Sequence, residues 1–179
     1  MNKKISICIT GLLLSMMALC QPLPDKILLL DNKITVQVPK EFSPMTGEML
    51  AATYPDNANK PNGAFTAAGG KISLAYYFTK TETDDNGIPG YTDEIIAGLK
   101  AGNKKVSFID DGILLQDGKN IGYVSFISGV KNKEIFSYYF YISLQNRLLL
   151  FQFHCPKKGR KQWEKKAAAI ANSLRVNAD

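Results

Sequence analysis

Positions 33–38 read Lys-Ile-Thr-Val-Gln-Val, an alternation of polar and apolar residues that predicts a strand with one buried face. A short apolar run at 27–30 precedes it, and Pro39 ends it. Ser43-Pro44 reads as a helix start, because Pro is favoured in the first turn. Met45, Met49 and Ala52 form its stripe, and Tyr54-Pro55 stops it. Residues 56–63 are rich in Asp, Asn, Pro and Gly and predict a loop. Strands are expected at 63–68 and 71–80, meeting across Gly69-Gly70, with Ile72, Leu74, Tyr76 and Phe78 on one face. Thr81 to Gly87 is polar and acidic. Tyr91, Ile95 and Leu99 recur every fourth residue and predict a helix over 92–101. Asp93 and Glu94 would occupy its first turn, where the helix dipole favours negative charge.

The C-terminal half changes period. Strands are expected at 106–115, 121–130, 134–144 and 147–154, with a bulge at Asp110-Asp111-Gly112. Turns at Asp117-Gly118, 131–133 and Gln145-Asn146 join them into a meander rich in Tyr and Phe. Pro156 closes the run. Trp163, Ala167, Ile170 and Leu174 then give the clearest helical stripe, over 157–174. Strands in runs with helices between the runs predict an α+β fold. The expected form is a single antiparallel sheet of about six to seven strands packed against two to three helices.

The N-terminus has a different character. Lys3-Lys4 precede an uncharged stretch from Ile5 to Leu19, broken by Gln21-Pro22. A basic start, a short apolar middle and a polar break describe a secretory signal peptide over residues 1–20. Residues 21–179 then form one domain. Ala18-Leu19-Cys20 suits cleavage before Gln21, giving a periplasmic or secreted product. The same stretch also reads as a degraded lipobox, in which a lipidated Cys20 would anchor the chain to a membrane surface. Either way Cys155 is the one cysteine left, and no internal disulfide is expected.

Composition is that of an ordinary globular chain of 179 residues, apart from a formal charge of +6. That charge is concentrated. Lys157, Lys158, Arg160, Lys161, Lys165, Lys166 and Arg175 face a single acid, Glu164, while the segment from 21 to 156 is close to neutral. Helical spacing puts Lys157, Lys161 and Lys165 on one face. A protein partner or an anionic membrane surface suits such a helix. Nucleic acid does not, since the basic helix lacks the interleaved aromatics that stack on bases.

The catalytic candidates have plainer readings. His154 and Cys155 are neighbours on a strand and point to opposite faces, so they cannot pair as base and nucleophile. No further His or Cys ligand accompanies them in the exported chain, so no metal or cofactor is expected. Asp84-Asp85, Asp93-Glu94 and Asp110-Asp111 suit turns and helix ends. A hydrolase would need two of these carboxylates gathered in one pocket.

A set of residues carries a resemblance. It comprises Ile34 to Pro39 followed by Phe42, then Met45 to Leu50, Tyr54-Pro55 and Lys60-Pro61. The strand from Asn146 to Cys155, Trp163 and Asn172-Ser173-Leu174 complete it. The arrangement resembles small exported bacterial domains with the PsbP-like fold, a group that includes DcrB-like lipoproteins. The resemblance implies a helix-backed antiparallel sheet, no catalytic residues, and a binding, assembly or accessory role, including adaptors for secreted toxins. The expectation is therefore a non-enzymatic binding protein of a bacterial envelope. The alternatives are an immunity protein or adaptor for a secreted toxin, and a hydrolase. The expected contact surfaces are the loop with Tyr54 and Lys60, the loop from Thr81 to Gly90, and Lys157, Lys161 and Lys165 on the basic helix.

Overall fold

In a computed structural model the described residues are 25–56, 60–102, 105–130 and 133–177. The proposed signal segment and its cleavage point at Cys20 and Gln21 lie outside them, as does most of the 131–133 turn. The strands are β1 (Asp25–Leu29), β2 (Ile34–Val38), β3 (Ser43–Pro44), β4 (Gly63–Ala67), β5 (Ile72–Glu82), β6 (Val106–Gln116), β7 (Lys119–Val130), β8 (Lys133–Leu144), β9 (Arg147–Pro156) and β10 (Arg175–Val176). The helices are α1 (Gly47–Thr53), α2 (Ile88–Gly102) and α3 (Arg160–Asn172), the last entered through a 3₁₀ turn at Lys157–Gly159.

Seven strands form one antiparallel sheet in the order β3-β4-β5-β9-β8-β7-β6. The fold is α+β, as the strand runs imply. The expectation of a single sheet needs one amendment: β1, β2 and β10 make a second, three-stranded sheet. β10 is two residues long, too short for any periodicity to reveal.

The meander follows its turn chemistry. Asp117 and Gly118 both have positive φ, at 50° and 75°, as do Gln145 and Asn146, at 53° and 57°. Two central residues with φ > 0 are what a two-residue hairpin of the right twist requires. The bulge in β6 falls between Phe108 and Asp110, just ahead of the expected place.

Two helix starts differ from the sequence pattern. Ser43-Pro44 does not open α1; it pairs with Thr66 and Phe65 at the sheet edge, where a missing N–H is tolerated. The cap is Thr46, whose hydroxyl accepts from the Met49 amide at 3.2 Å. α2 begins at Ile88, so Asp93 and Glu94 sit in its second turn. The earlier start is built by Asp84, whose carboxylate accepts from the Gly87 amide at 2.8 Å. Pro89 then fits the first turn.

Cross-strand pairing decides what each face of the large sheet carries. Tyr138 and Phe153, Phe140 and Phe151, and Ile142 and Leu149 stand opposite each other on one face. α3 and β2 cover that face, and Trp163 meets Phe42 edge-on at 5.6 Å and stacks near Phe153 at 6.1 Å. The other face carries Tyr141 and Leu148, over which α2 places Ile88 and the flanks of Tyr91 and Ile95. β8 is apolar on both sides, so Phe136 to Leu144 reads as a nearly unbroken hydrophobic run.

Close approach of an aromatic ring fixes two strand glycines. Gly122 lies opposite Tyr141, whose ring crosses it so closely that a Cβ there would meet Tyr141 Cε2 at 2.2 Å. Tyr76 covers Gly63 in the same way, at 2.6 Å. In both pairs the aromatic ring supplies the side-chain surface the glycine lacks.

Candidate functional site

The stripe on α3 fixes which way its charges point. Trp163, Ala167, Ile170 and Ala171 are buried, so Lys161 and Lys165 face solvent. Lys157 belongs to the preceding 3₁₀ turn and so stands off the regular helical face expected for it.

Four of the seven basic groups are already committed. Lys157 pairs with Glu134 at 2.7 Å. Arg160 donates two hydrogen bonds to Glu164, at 3.0 and 3.1 Å. Arg175 reaches Asp117 at 2.7 Å. Lys166 pairs with Glu41 and lies 4.6 Å from the Trp163 ring centre. The hydrogen bond from Lys166 is the main reason the Glu41 carboxyl titrates below its ordinary value. Lys158, Lys161 and Lys165 have no carboxylate partner among the described residues. Among the described residues the unspent charge is therefore one amine on the 3₁₀ turn and two on the first turns of α3.

Lys158 and Lys161 border a cleft of about 1030 Å³, which lies between β7, β8, the end of β9, the 3₁₀ turn and the start of α3, while Lys165 lies outside it. Ile127, Ile135 and Pro156 supply its apolar lining. Lys71 enters from the β4–β5 hairpin and Lys133 from the start of β8, beside Lys158 and Lys161. A second cavity, of about 570 Å³, lies at the other end of α3. Its polar groups mostly satisfy one another: Thr35 bonds Asn177 at 2.9 Å, and Ser173 Oγ accepts from the Gln37 amide at 2.8 Å. That region stitches the small sheet to the helix.

Tyr54 stands elsewhere. Its hydroxyl is bonded to Ser73, on the face of the sheet opposite α3. Burial raises its pKa, and with Tyr77 and Tyr139 it forms a half-buried phenol cluster. Burial, reinforced by the neighbouring phenols, pushes Tyr77 and Tyr139 up to about 12. Lys60 is exposed near the same loop. The expected surface thus divides between two faces, and Tyr54 and Lys60 do not join the basic helix.

The catalytic candidates stay apart. Cys155 is buried in the α3-covered core, and burial raises its thiol to about 11. His154 faces the other way, with its Nδ1 2.9 Å from Ser137 Oγ. Burial lowers His154 to about 4, which makes it a weak base at neutral pH. Ser137 is 1% exposed, so its hydroxyl is a satisfied polar group of the sheet rather than a presented nucleophile. Asp84, Asp93, Asp110 and Asp111 are all exposed, on a turn, a helix and an edge strand. Among the described residues no cluster of His, Cys, Asp and Glu could hold a metal.

Sequence reasoning missed the Ser137–His154 pair and the contribution of Lys71 and Lys133. The pair depends on strand register, in which Ser137 and His154 are direct partners. The two lysines come from distant turns that antiparallel pairing brings to one end of the sheet.

No protein-family profile matches the chain, and no curated protein matches it in sequence. Solved structures do match it. Cyanobacterial PsbP (CyanoP) from Synechocystis superposes with a TM-score of 0.61 at 9% identity, covering 96% of this chain and 98% of that one. The fold is PsbP-like. A Bacteroides thetaiotaomicron protein gives 0.52 at 12% identity, over 87% of this chain and 49% of its own. The PA94 protein of Pseudomonas aeruginosa, of unknown function, gives 0.50 at 7% identity, over 86% and 99%. At such identities the PsbP-like likeness establishes architecture and transfers no residue's role.

Proposed function

We propose that this chain is an exported, non-enzymatic accessory protein that docks an acidic partner protein through the basic face of α3. The observation that carries the reading is a set of three exposed amines without a carboxylate partner among the described residues, Lys158 on the 3₁₀ turn and Lys161 and Lys165 on α3, while the neighbouring cations are paired. Unpaired surface charge of one sign speeds encounter with a complementary surface and rejects like-charged ones. The outward face of α3 also exposes Gln162 and Ala169 but no large apolar side chain, which favours a protein surface over insertion into lipid. Export is supported by the basic start and uncharged stretch at the N-terminus. Among the described residues no helix is long and apolar enough to cross a membrane.

The test compares the native exported chain with the K161E/K165E variant. An acidic envelope protein should be retained by the native chain, released as salt rises, and lost from the variant at unchanged thermal stability. Retention that ignores the reversal would sink the reading. Vesicles containing anionic phospholipid serve as the competing surface: binding to them alone, lost in the same variant, would replace the protein partner with a membrane.

A further inference from the structure

The cleft at the entry to α3 differs from the helix face in one respect: it combines charge with an apolar lining. Ile127, Ile135 and Pro156 lie within a space of about 1030 Å³, at the upper end of what small-molecule sites occupy. The two acids of its wall are engaged, Glu134 with Lys157 at 2.7 Å and Glu164 with Arg160 at 3.0 Å. Lys71, Lys133, Lys158 and Lys161 have no carboxylate partner among the described residues. Four amines without a carboxylate partner thus line a cleft whose remaining wall is two closed ion pairs and three apolar side chains.

We infer that this cleft binds a single acidic amphiphile, a phosphate-headed lipid whose head sits among the lysines and whose first acyl carbons lie on Ile127, Ile135 and Pro156. Charge alone would suit any anion, and an apolar lining alone would suit any hydrocarbon. The pairing of the two selects a molecule that carries both. An acidic peptide would satisfy the amines but leave the isoleucines and Pro156 against polar backbone. The inference goes beyond the docking surface on α3, because Lys71 and Lys133 lie outside that helix and Lys165 lies outside the cleft.

The experiment uses the full exported chain and short-chain lipids that stay dispersed. Dihexanoyl phosphatidic acid is titrated against it calorimetrically, beside inorganic phosphate, dihexanoyl phosphatidylcholine and a hexaglutamate peptide. Phosphatidic acid should bind with one-to-one stoichiometry, at least about tenfold more tightly than each of the other three. The Ile127 and Ile135 methyl resonances should shift as it binds. K71E/K133E should weaken binding about tenfold or more, while K165E leaves it unchanged. I135N should weaken phosphatidic acid and leave inorganic phosphate unaffected. The inference is overturned if inorganic phosphate or hexaglutamate binds as tightly, if phosphatidylcholine does, if the two methyls stay still, or if K71E/K133E binds like the native chain at equal stability. Loss of partner docking in K161E/K165E is a separate readout, so either proposal can fail alone.

Discussion

The two faces of the large sheet are built from the same strands yet held in different ways. On one face α3 and the small sheet close over a continuous set of large side chains, from Phe65 through Phe140 and Phe151 to Trp163. On the other, α2 covers a smaller group of Ile88, Tyr141 and Leu148. The rest of that face mixes buried Val124 and Phe126 with Tyr54, Tyr77, Tyr139 and His154; Tyr54 is bonded to Ser73, His154 to Ser137, and Tyr139 meets the Phe126 and His154 rings edge-on. The first face is a hydrophobic core whose stability comes from area and packing. The second is polar enough for its stability to depend on which groups are protonated and paired.

The contrast predicts where substitution costs most. Trp163 is 7% exposed and touches both Phe42 and Phe153. Trp163→Ala removes the piece that joins α3 to the sheet, and should cost roughly 3–5 kcal/mol in chemical denaturation. Because α3 also holds β2 and β10 in place, the loss should be global and the transition should stay cooperative. A loss below about 1 kcal/mol would mean that the small sheet and helix are an appendage rather than part of the core.

Much of this core was legible in the sequence, and the reason is periodicity. The spacing of Trp163, Ala167, Ile170 and Leu174 is a helical stripe, and the four C-terminal strands are long enough to show their alternation and their turn dipeptides. What the sequence withheld was short or non-local. β10 is two residues long, and its existence depends on α3 delivering Arg175 and Val176 to Thr35 and Ile34. The cap at Thr46 was hidden behind Ser43-Pro44, because Ser-Pro is a helix-start signal that sheet-edge pairing overrode. At the candidate site the charge run of α3 was plain, but its state was not. Pairing of Lys157, Lys166 and Arg175 depends on Glu134, Glu41 and Asp117, which are remote in sequence. Tyr54 fell on the opposite face for the same reason, since only the register of β5 and β9 assigns Ser73 a side.

The polar face should respond to pH where the apolar one does not. His154 has an ordinary pKa near 6.5, and burial lowers it to about 4. Above 6.5 the ring is neutral in both folded and unfolded chains, and its full contribution is present. As pH falls below 6.5 the unfolded chain takes up a proton that the folded chain refuses, so stability declines until about 4. The expected loss across that window is roughly 2–3 kcal/mol. Urea denaturation at pH 7, 5.5 and 4.5 measures it, and His154→Gln should flatten the curve. Glu41 also titrates, but its carboxyl lies below 4.5 and adds its loss at lower pH.

A smaller effect tests how α2 is fastened. The Tyr141 hydroxyl donates to Thr92 Oγ1 at 2.5 Å, and Thr92 donates to the Ile88 carbonyl at 3.3 Å. Tyr141→Phe keeps the ring over Gly122 and the bond from Thr92 to Ile88, removing one hydrogen bond only. The cost should be about 1 kcal/mol. Amide exchange should quicken along α2 while β8 and β9 keep their protection.

The smallest effect is expected at α1, which has no buried residue. A helix of seven residues is too short to be stable alone and normally relies on a packed face. Its inward link is Tyr54 at the C-terminal cap, bonded to Ser73, while Met49 is 40% exposed. Thr46 therefore has unusual weight, since its hydroxyl satisfies a free amide of the first turn. Thr46→Ala should cost about 0.5–1 kcal/mol locally, read as faster amide exchange over 47–53. The global denaturation midpoint should hardly move, because the exposed state of α1 leaves the core intact. A midpoint shift as large as that of Tyr141→Phe would show that α1 is coupled to the sheet through Tyr54, and that the polar face is held at both ends.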